Sequence, residues 1–168
     1  MGSGKTAVGT ALARLLGVPF IDSDAEIETA ANMTIAEIFE RDGEPFFRRK
    51  ETQVITRLLR EEPCILSTGG GAFLSEENRK IIRDTGISVW LRAELDLLWS
   101  RVRHKDTRPL LRTENPKQTL GDLQVARMPA YRQAALVVDA HPDYSVEDMA
   151  QKVIETLLTR PDVLERQS

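Results

Sequence analysis

Residues 1–6 read MGSGKT, and the chain runs from them straight into a helical pattern. Val8, Leu12, Leu15 and Leu16 fall at helical spacing, and Gly17 ends the run. Gly2, Gly4, Lys5 and Thr6 keep the spacing of the second half of a phosphate-binding loop, G-x-x-x-x-G-K-S/T. In such a loop glycines let successive backbone N–H groups face phosphate oxygens. The lysine reaches the β- and γ-phosphates, and the hydroxyl binds Mg²⁺. The competing reading is a chance GKT in a flexible start. A helix beginning directly at Lys5 and Thr6 favours the loop, because the mechanism needs a helix N-terminus aimed at the phosphates. The first glycine of the pattern would fall two positions before Met1.

Working outward, strand and helix signals alternate. Residues 18–24, VPFIDSD, read as a short strand ending in two aspartates. Thr34 to Glu37 form a capping-box pattern that opens a helix, Gly43 breaks it, and Pro45 fits the first turn of another running to about Arg60. Residues 64–71, CILSTGGG, read as a strand running into three glycines. Ser75 caps a helix to about Thr85. Residues 87–91, ISVWL, have too few polar residues for an exposed face and read as a strand buried on both sides. A helix follows from Ala93 to about Arg103. Residues 104–118 are polar, basic and proline-broken, and read as a mobile loop. A helix to about Ala135, the strand LVVD at 136–139, and a last amphipathic helix capped by Ser145 and running to about Leu158 complete the pattern. The tail after Pro161 reads as frayed.

This alternation predicts an α/β fold built of βαβ units, with a parallel sheet covered on both faces. Ligands bind such sheets at the carboxyl ends of the strands. The polar signals DSD and TGGG fall there. Neither repeats nor a linker interrupt the 168 residues, which read as one domain.

Composition narrows the function. Hydrophobic residues make up 41% and charged residues 29%, and the net charge is −3. That balance argues against a nucleic-acid partner, which calls for a basic stripe. A single cysteine, Cys64, excludes an internal disulfide and suits a reducing compartment. No apolar run approaches the ~20 residues that span a bilayer. A cytoplasmic protein with no membrane partner is expected.

Three further constellations carry chemistry. Strand alternation would point Asp22 and Asp24 the same way, one to hold the water shell of a metal, the other to orient or deprotonate a substrate hydroxyl. The bland alternative is an Asp-Ser-Asp turn that caps a helix. Gly69, Gly70 and Gly71 allow a ligand to approach the backbone closely, where a plain turn would need one glycine. Arg48, Arg101, Arg108, Arg127 and Arg132 form a set suited to carboxylate and phosphate oxygens. Arg108 stands apart, because it lies in the mobile loop as TRPLL (107–111), where a closing lid could carry it to a transferring phosphoryl group. Cys64 is expected to be inert packing on a buried strand. Glu28, Glu37 and the pair Glu61–Glu62 read as solvated helix faces.

Taken in order, MGSGKT, DSD, Phe47-Arg48, Gly69-Gly70-Gly71, Arg108-Pro109-Leu110-Leu111 and Arg127-x-Pro129-x-Tyr131 resemble the shikimate kinase family, over essentially the whole chain. The resemblance implies a three-layer α/β/α P-loop kinase fold with parallel strand order 2-3-1-4-5. It implies a substrate-binding region at about 24–60 and a lid at about 104–118. The reaction implied is phosphoryl transfer from ATP to the 3-hydroxyl of shikimate, with Mg²⁺, in a monomer. Gly2, Ser3, Gly4, Lys5, Thr6 and Ala7 would bind ATP, with Arg101 and the region near Pro142 bracketing adenine. Lys5, Asp24 and Arg108 would be catalytic. Thr6 would ligate the metal and Asp22 would support it through water. Arg48 and Arg127 would clamp the shikimate carboxylate, Asp24 its hydroxyls, and Gly69, Gly70 and Gly71 would line the ring. A non-catalytic P-loop relative acting as a binding module, and a kinase for another small metabolite such as gluconate, are the alternatives.

The resemblance also implies that the first strand of the fold and the first loop glycine precede Met1. That strand would be central to the sheet, and an empty centre would strand backbone groups at roughly 1–3 kcal/mol each. The chain as written is therefore expected to fold or turn over poorly, with the natural start upstream.

Overall fold

The computed structural model describes residues 4–103 and 111–164. They form two compact units. One is Gly9–Ile87; the other joins the residues up to Val8 with those from Ser88 onward.

In the Gly9–Ile87 unit, β1 (Phe20–Asp22) and β2 (Ile65–Ser67) pair in parallel, with Phe20 opposite Ile65 and Asp22 opposite Ser67. The first helix, α1 (Lys5–Leu16), packs closely here: a Cβ at Gly9 would stand 2.6 Å from the Phe20 ring, so only glycine fits. Val8, Ala11, Leu12 and Ala13 are buried, whereas Leu15, expected on the apolar face, is exposed. The helix that the bland alternative placed after Asp-Ser-Asp follows β1 at once. Asp22 caps α2 (Ser23–Ala31), its Oδ1 accepting from the Asp24 amide at 2.9 Å, and Asn32 closes it in the left-handed region at φ 52°.

The long α3 (Ile35–Glu61) starts at Thr34, whose hydroxyl accepts from the Glu37 amide at 3.1 Å. Glu28, expected to be merely solvated, accepts from the Ile35 amide at 2.9 Å and satisfies another donor of that first turn. Gly43, at φ 83° and ψ 169°, breaks the helix where the sequence places a break, and Pro45 lies in the turn that resumes it. Ile27, Ile38, Phe47, Val54 and Leu58 form the core between α2 and α3. Ile55, Ala72 and Ile82 form a second cluster, which joins α3 to a 3₁₀ turn (Ala72–Leu74) and α4 (Glu76–Thr85). Cys64 lies just before β2 instead of on it and is half-buried, and burial pushes its thiol pKa up. That suits inert packing.

In the other unit, β3 (Val89–Arg92) and β4 (Leu136–Asp139) are again parallel, with Val89 opposite Leu136 and Arg92 opposite Asp139. Counted as strands 2 to 5 of the expected order 2-3-1-4-5, whose first strand is expected before Met1, the pairings β1 with β2 and β3 with β4 match its adjacent pairs 2-3 and 4-5. Val89, Trp90 and Leu91 are half-buried, short of the double-sided burial expected for ISVWL. Ala93, Leu98, Val102, Leu111 and Leu120 join α5 (Leu95–Val102) to α6 (Pro116–Tyr131). Of the stretch read as a mobile loop, 104–110 lie outside the described residues, and the rest is partly core and partly helix. Leu111 is a core residue, Asn115 caps α6, and Pro116, Lys117 and Gln118 are already helical, with Pro116 placed where its missing N–H costs nothing. The helix also stops at Tyr131, short of Ala135. A reciprocal capping box between Ser145 and Asp148 starts α7 (Val146–Leu157), which buries Met149, Ala150, Val153 and Leu157.

Candidate active site

Two groups of predicted residues emerge, one in each unit. Gly2, Ser3 and Arg108 lie outside the described residues, as do His104, Pro109 and Leu110.

The first group sits where α1 begins. Gly4 has φ 80°, a conformation that favours glycine, and its carbonyl accepts from the Val8 amide at 2.9 Å. Lys5, Thr6 and Ala7 therefore occupy the first helical turn, whose amides have no intrahelical acceptor and carry the positive end of the helix dipole. No acidic residue lies in that turn to oppose an anion. Arg101 of α5 is close by: a Cβ on Gly4 would stand 3.3 Å from its Nη1. The loop glycine and the predicted nucleotide arginine are thus neighbours. Pro142 is exposed in the turn after β4, beside His141, whose Nδ1 accepts from the Asp143 amide at 3.1 Å. Arg127 is half-buried on α6 and hydrogen-bonds Tyr131, whose ring lies 5.8 Å from that of Trp90. Burial raises the Tyr131 hydroxyl pKa, against the opposing charge and hydrogen bond of Arg127. Arg132, in the turn ending α6, contacts the Met128 sulfur at 3.2 Å.

The second group lies at the carboxyl ends of β1 and β2. The sequence argument that alternation aligns Asp22 with Asp24 does not hold, because β1 stops at Asp22 and Asp24 belongs to α2. Asp22 spends Oδ1 on capping that helix. Asp24 is placed by the helix turn instead, beside its positive end. Both carboxylate oxygens stand 2.9 Å from where a Cβ on Gly69 would be. Similarly, Arg48 on α3 places Nη2 and Nη1 at 2.5 and 2.7 Å from a Cβ position on Gly71. Each glycine therefore vacates the space that a functional side chain fills. The three-glycine signal reads as room for Asp24 and Arg48 as much as for a ligand.

Glu51 is the residue that the sequence reading missed. It is only 1% exposed, one turn on from Arg48, and its Oε1 accepts from Arg48 Nη1 at 2.9 Å. Glu44 accepts from Nε at 3.4 Å at the exposed edge. Burial pushes the Glu51 carboxyl up, partly offset by Arg48, and the nearby Asp24 and Glu44 charges push it further up. A signal was present. Phe47, Glu51, Val54, Ile55 and Leu58 share one helical stripe, and Glu51 is its only polar member. The result is a carboxylate, a guanidinium and a buried counter-carboxylate over a floor of glycines. Such a set can bind a small molecule bearing hydroxyls and a carboxylate.

Oxygen donors also suit Mg²⁺. Thr6 is an exposed residue in the first turn of α1, and in the other unit Asp22 accepts its cap bond on Oδ1. Among the described residues no helix is long and apolar enough to cross a membrane.

The family model for shikimate kinase matches residues 1–158. A shikimate kinase of Cereibacter sphaeroides is 67% identical over 165 residues, which span 98% of this chain and 82% of that protein. One of Ruegeria pomeroyi is 64% identical, over 98% of this chain and 85% of the relative. Among solved structures, shikimate kinase from Acinetobacter baumannii in complex with shikimate superposes with TM-score 0.87 at 42% identity, covering 95% of this chain and 89% of the other. Shikimate kinase from Bacteroides thetaiotaomicron gives TM-score 0.86 at 34% identity, over 94% and 93% of the two chains. The α/β P-loop fold expected from the sequence is the fold of these proteins, and the chain belongs to the shikimate kinase family.

Proposed function

We propose that this chain transfers the γ-phosphoryl group of ATP to the 3-hydroxyl of shikimate, giving shikimate 3-phosphate and ADP on the route to chorismate and the aromatic amino acids. The observation that carries the reading is the placement of Asp24 and Arg48 against Gly69 and Gly71. A carboxylate meets a polyol's hydroxyls, a guanidinium meets its carboxylate, and the glycines leave the ring a place to lie.

Residues take the following roles. Gly2, Ser3, Gly4, Lys5, Thr6 and Ala7 cradle the phosphates, with Lys5 on the β- and γ-groups. Arg101 and Pro142 flank adenine. Arg48 and Arg127 clamp the shikimate carboxylate. Asp24 orients the 3-hydroxyl and accepts its proton as the oxygen bonds to the γ-phosphorus and the bond to the ADP oxygen breaks. Arg108 meets the charge on the transferring group from a lid that ends before α6 begins at Pro116. Thr6 and, through water, Asp22 hold Mg²⁺, which neutralises phosphate charge. Little covalent chemistry falls to the protein, so positioning and charge neutralisation supply most of the acceleration. The whole chain acts as one P-loop kinase domain, a monomer in the cytoplasm.

ADP release from ATP, coupled to a reporter and run with shikimate or gluconate, tests the reading. Release that depends on shikimate and not on gluconate is expected. Release with gluconate alone, or with neither acceptor while the chain remains folded, would overturn it.

A further inference from the structure

Asn78 carries a bonding pattern that helix capping alone does not require. It is 1% exposed in the first turn of α4, within the charged stretch EENRK. Its backbone amide donates to the capping Ser75 hydroxyl at 3.2 Å. Its side chain serves other partners. Nδ2 donates to the Ala72 carbonyl at 2.9 Å, and Oδ1 accepts from the Thr52 hydroxyl at 2.7 Å. Each partner adjoins the site. Ala72 is fully buried, follows Gly71, and donates its own amide to the Gly69 carbonyl at 3.1 Å. Thr52 follows Glu51, the residue that holds Arg48. Beside Asn78, Arg79 donates to the Phe73 carbonyl at 2.7 Å, so two side chains of α4 grip the turn into which the glycines run.

We infer that the Asn78 carboxamide, with Thr52, is a positioning brace for shikimate binding: it fixes the exit of the Gly69–Gly71 loop against the stretch of α3 that carries Arg48 and Glu51. The tolerance there is small. Arg48 fills the very space that a Cβ on Gly71 would take, so a shift of loop against helix either crowds the guanidinium or releases it. A buried amide with both ends engaged resists such a shift, because breaking either bond strands a desolvated polar atom. The inference rests on the proposed reading of Arg48 and the glycine loop as the shikimate site.

The test compares Thr52→Val, which removes the hydroxyl at nearly constant shape, with Thr52→Ser, which keeps it, and with Asn78→Ala. For each, KM for shikimate, KM for ATP, kcat and the thermal midpoint are measured. Thr52→Val and Asn78→Ala are expected to raise the shikimate KM roughly tenfold, with the ATP KM within about twofold. Thr52→Ser restores the wild-type value. A lowered midpoint in Thr52→Val with unchanged shikimate KM would overturn the brace and leave a structural role alone. Should Asn78→Ala fail to fold, the two Thr52 variants decide. Failure of the functional reading shows separately, as wild-type chain without shikimate-dependent turnover. Amide exchange at Gly69–Leu74 then decides: faster exchange in Thr52→Val than in Thr52→Ser supports the brace, and equal exchange overturns it.

Discussion

Glu51 holds Arg48 from beneath. The carboxylate is 1% exposed, the guanidinium is about one-third exposed, and 2.9 Å separates Oε1 from Nη1. The buried member fixes the orientation of the half-exposed one, which the proposed function assigns to the shikimate carboxylate. Glu51→Gln keeps the shape and weakens a charge-assisted bond to a neutral one. The shikimate KM is expected to rise about tenfold while the ATP KM stays within about twofold. Equal shikimate KM values for variant and wild type would contradict the pairing's role.

The same carboxylate makes stability depend on pH. Burial raises the Glu51 pKa above its ordinary value of 4.5, so the folded chain binds this proton more tightly than the unfolded chain does. Stability from this group is therefore greatest below about pH 4.5 and is lost as pH rises through the raised value. Stability from urea melts of wild type and Glu51→Gln is expected to differ in pH slope within this range and to run parallel on either side of it. Parallel curves throughout would show that burial does not perturb the group.

Gly69→Ala and Gly71→Ala test the space argument. Gly71 has φ −89°, open to any residue, and a Cβ there meets Arg48 nitrogens at 2.5 and 2.7 Å. Displacing a clamp by about 1 Å costs up to ~10²-fold in activity. Both variants are expected to lose shikimate affinity by about 10- to 100-fold while melting within a few degrees of wild type. Calorimetry showing unchanged affinity in both would remove the carrying observation. Gly17, at φ 69° with open space around it, supplies the control. Its alanine variant costs about 1 kcal/mol of stability and leaves shikimate binding intact.

These residues also mark how far the sequence reaches. The four strands among the described residues were legible, because short apolar runs bounded by Asp, Gly and Pro leave few alternatives. Gly43 and Pro45 announced the kink in α3, and Ser75 and Ser145 announced their helices. The helix α2 was legible only as the alternative reading of Asp-Ser-Asp as a helix cap: SDAEIETAA offers Ile27 as its one large apolar residue, too little to show a period. Glu51 and Asn78 were hidden differently. Both sit in charged stretches, RRKET and EENRK, and both are only 1% exposed in the fold. Local pattern shows what a helix offers; packing decides which of its polar residues water never reaches.

Lys5→Ala separates the two halves of the reaction. The lysine begins α1, in the turn that continues the phosphate-loop pattern. Turnover is expected to fall by about 10²-fold or more, with shikimate binding within about twofold of wild type by calorimetry. Turnover near the wild-type rate would remove Lys5 from the phosphate site.

Tyr131→Phe removes the hydroxyl that Arg127 engages and keeps the ring against Trp90. The shikimate KM is expected to rise about threefold to tenfold, since Arg127 loses one fixed partner. An unchanged KM would mean that α6 alone orients Arg127.

The central claim is the transfer itself, and the identity of the product tests it most directly. The chain is incubated with ATP, Mg²⁺ and shikimate, and the product is analysed by mass and by phosphorus–proton coupling in NMR. The account predicts a shikimate monophosphate whose phosphorus couples to the proton at carbon 3, formed one for one with ADP. ADP released with shikimate unmodified, or phosphate on another hydroxyl, would contradict it.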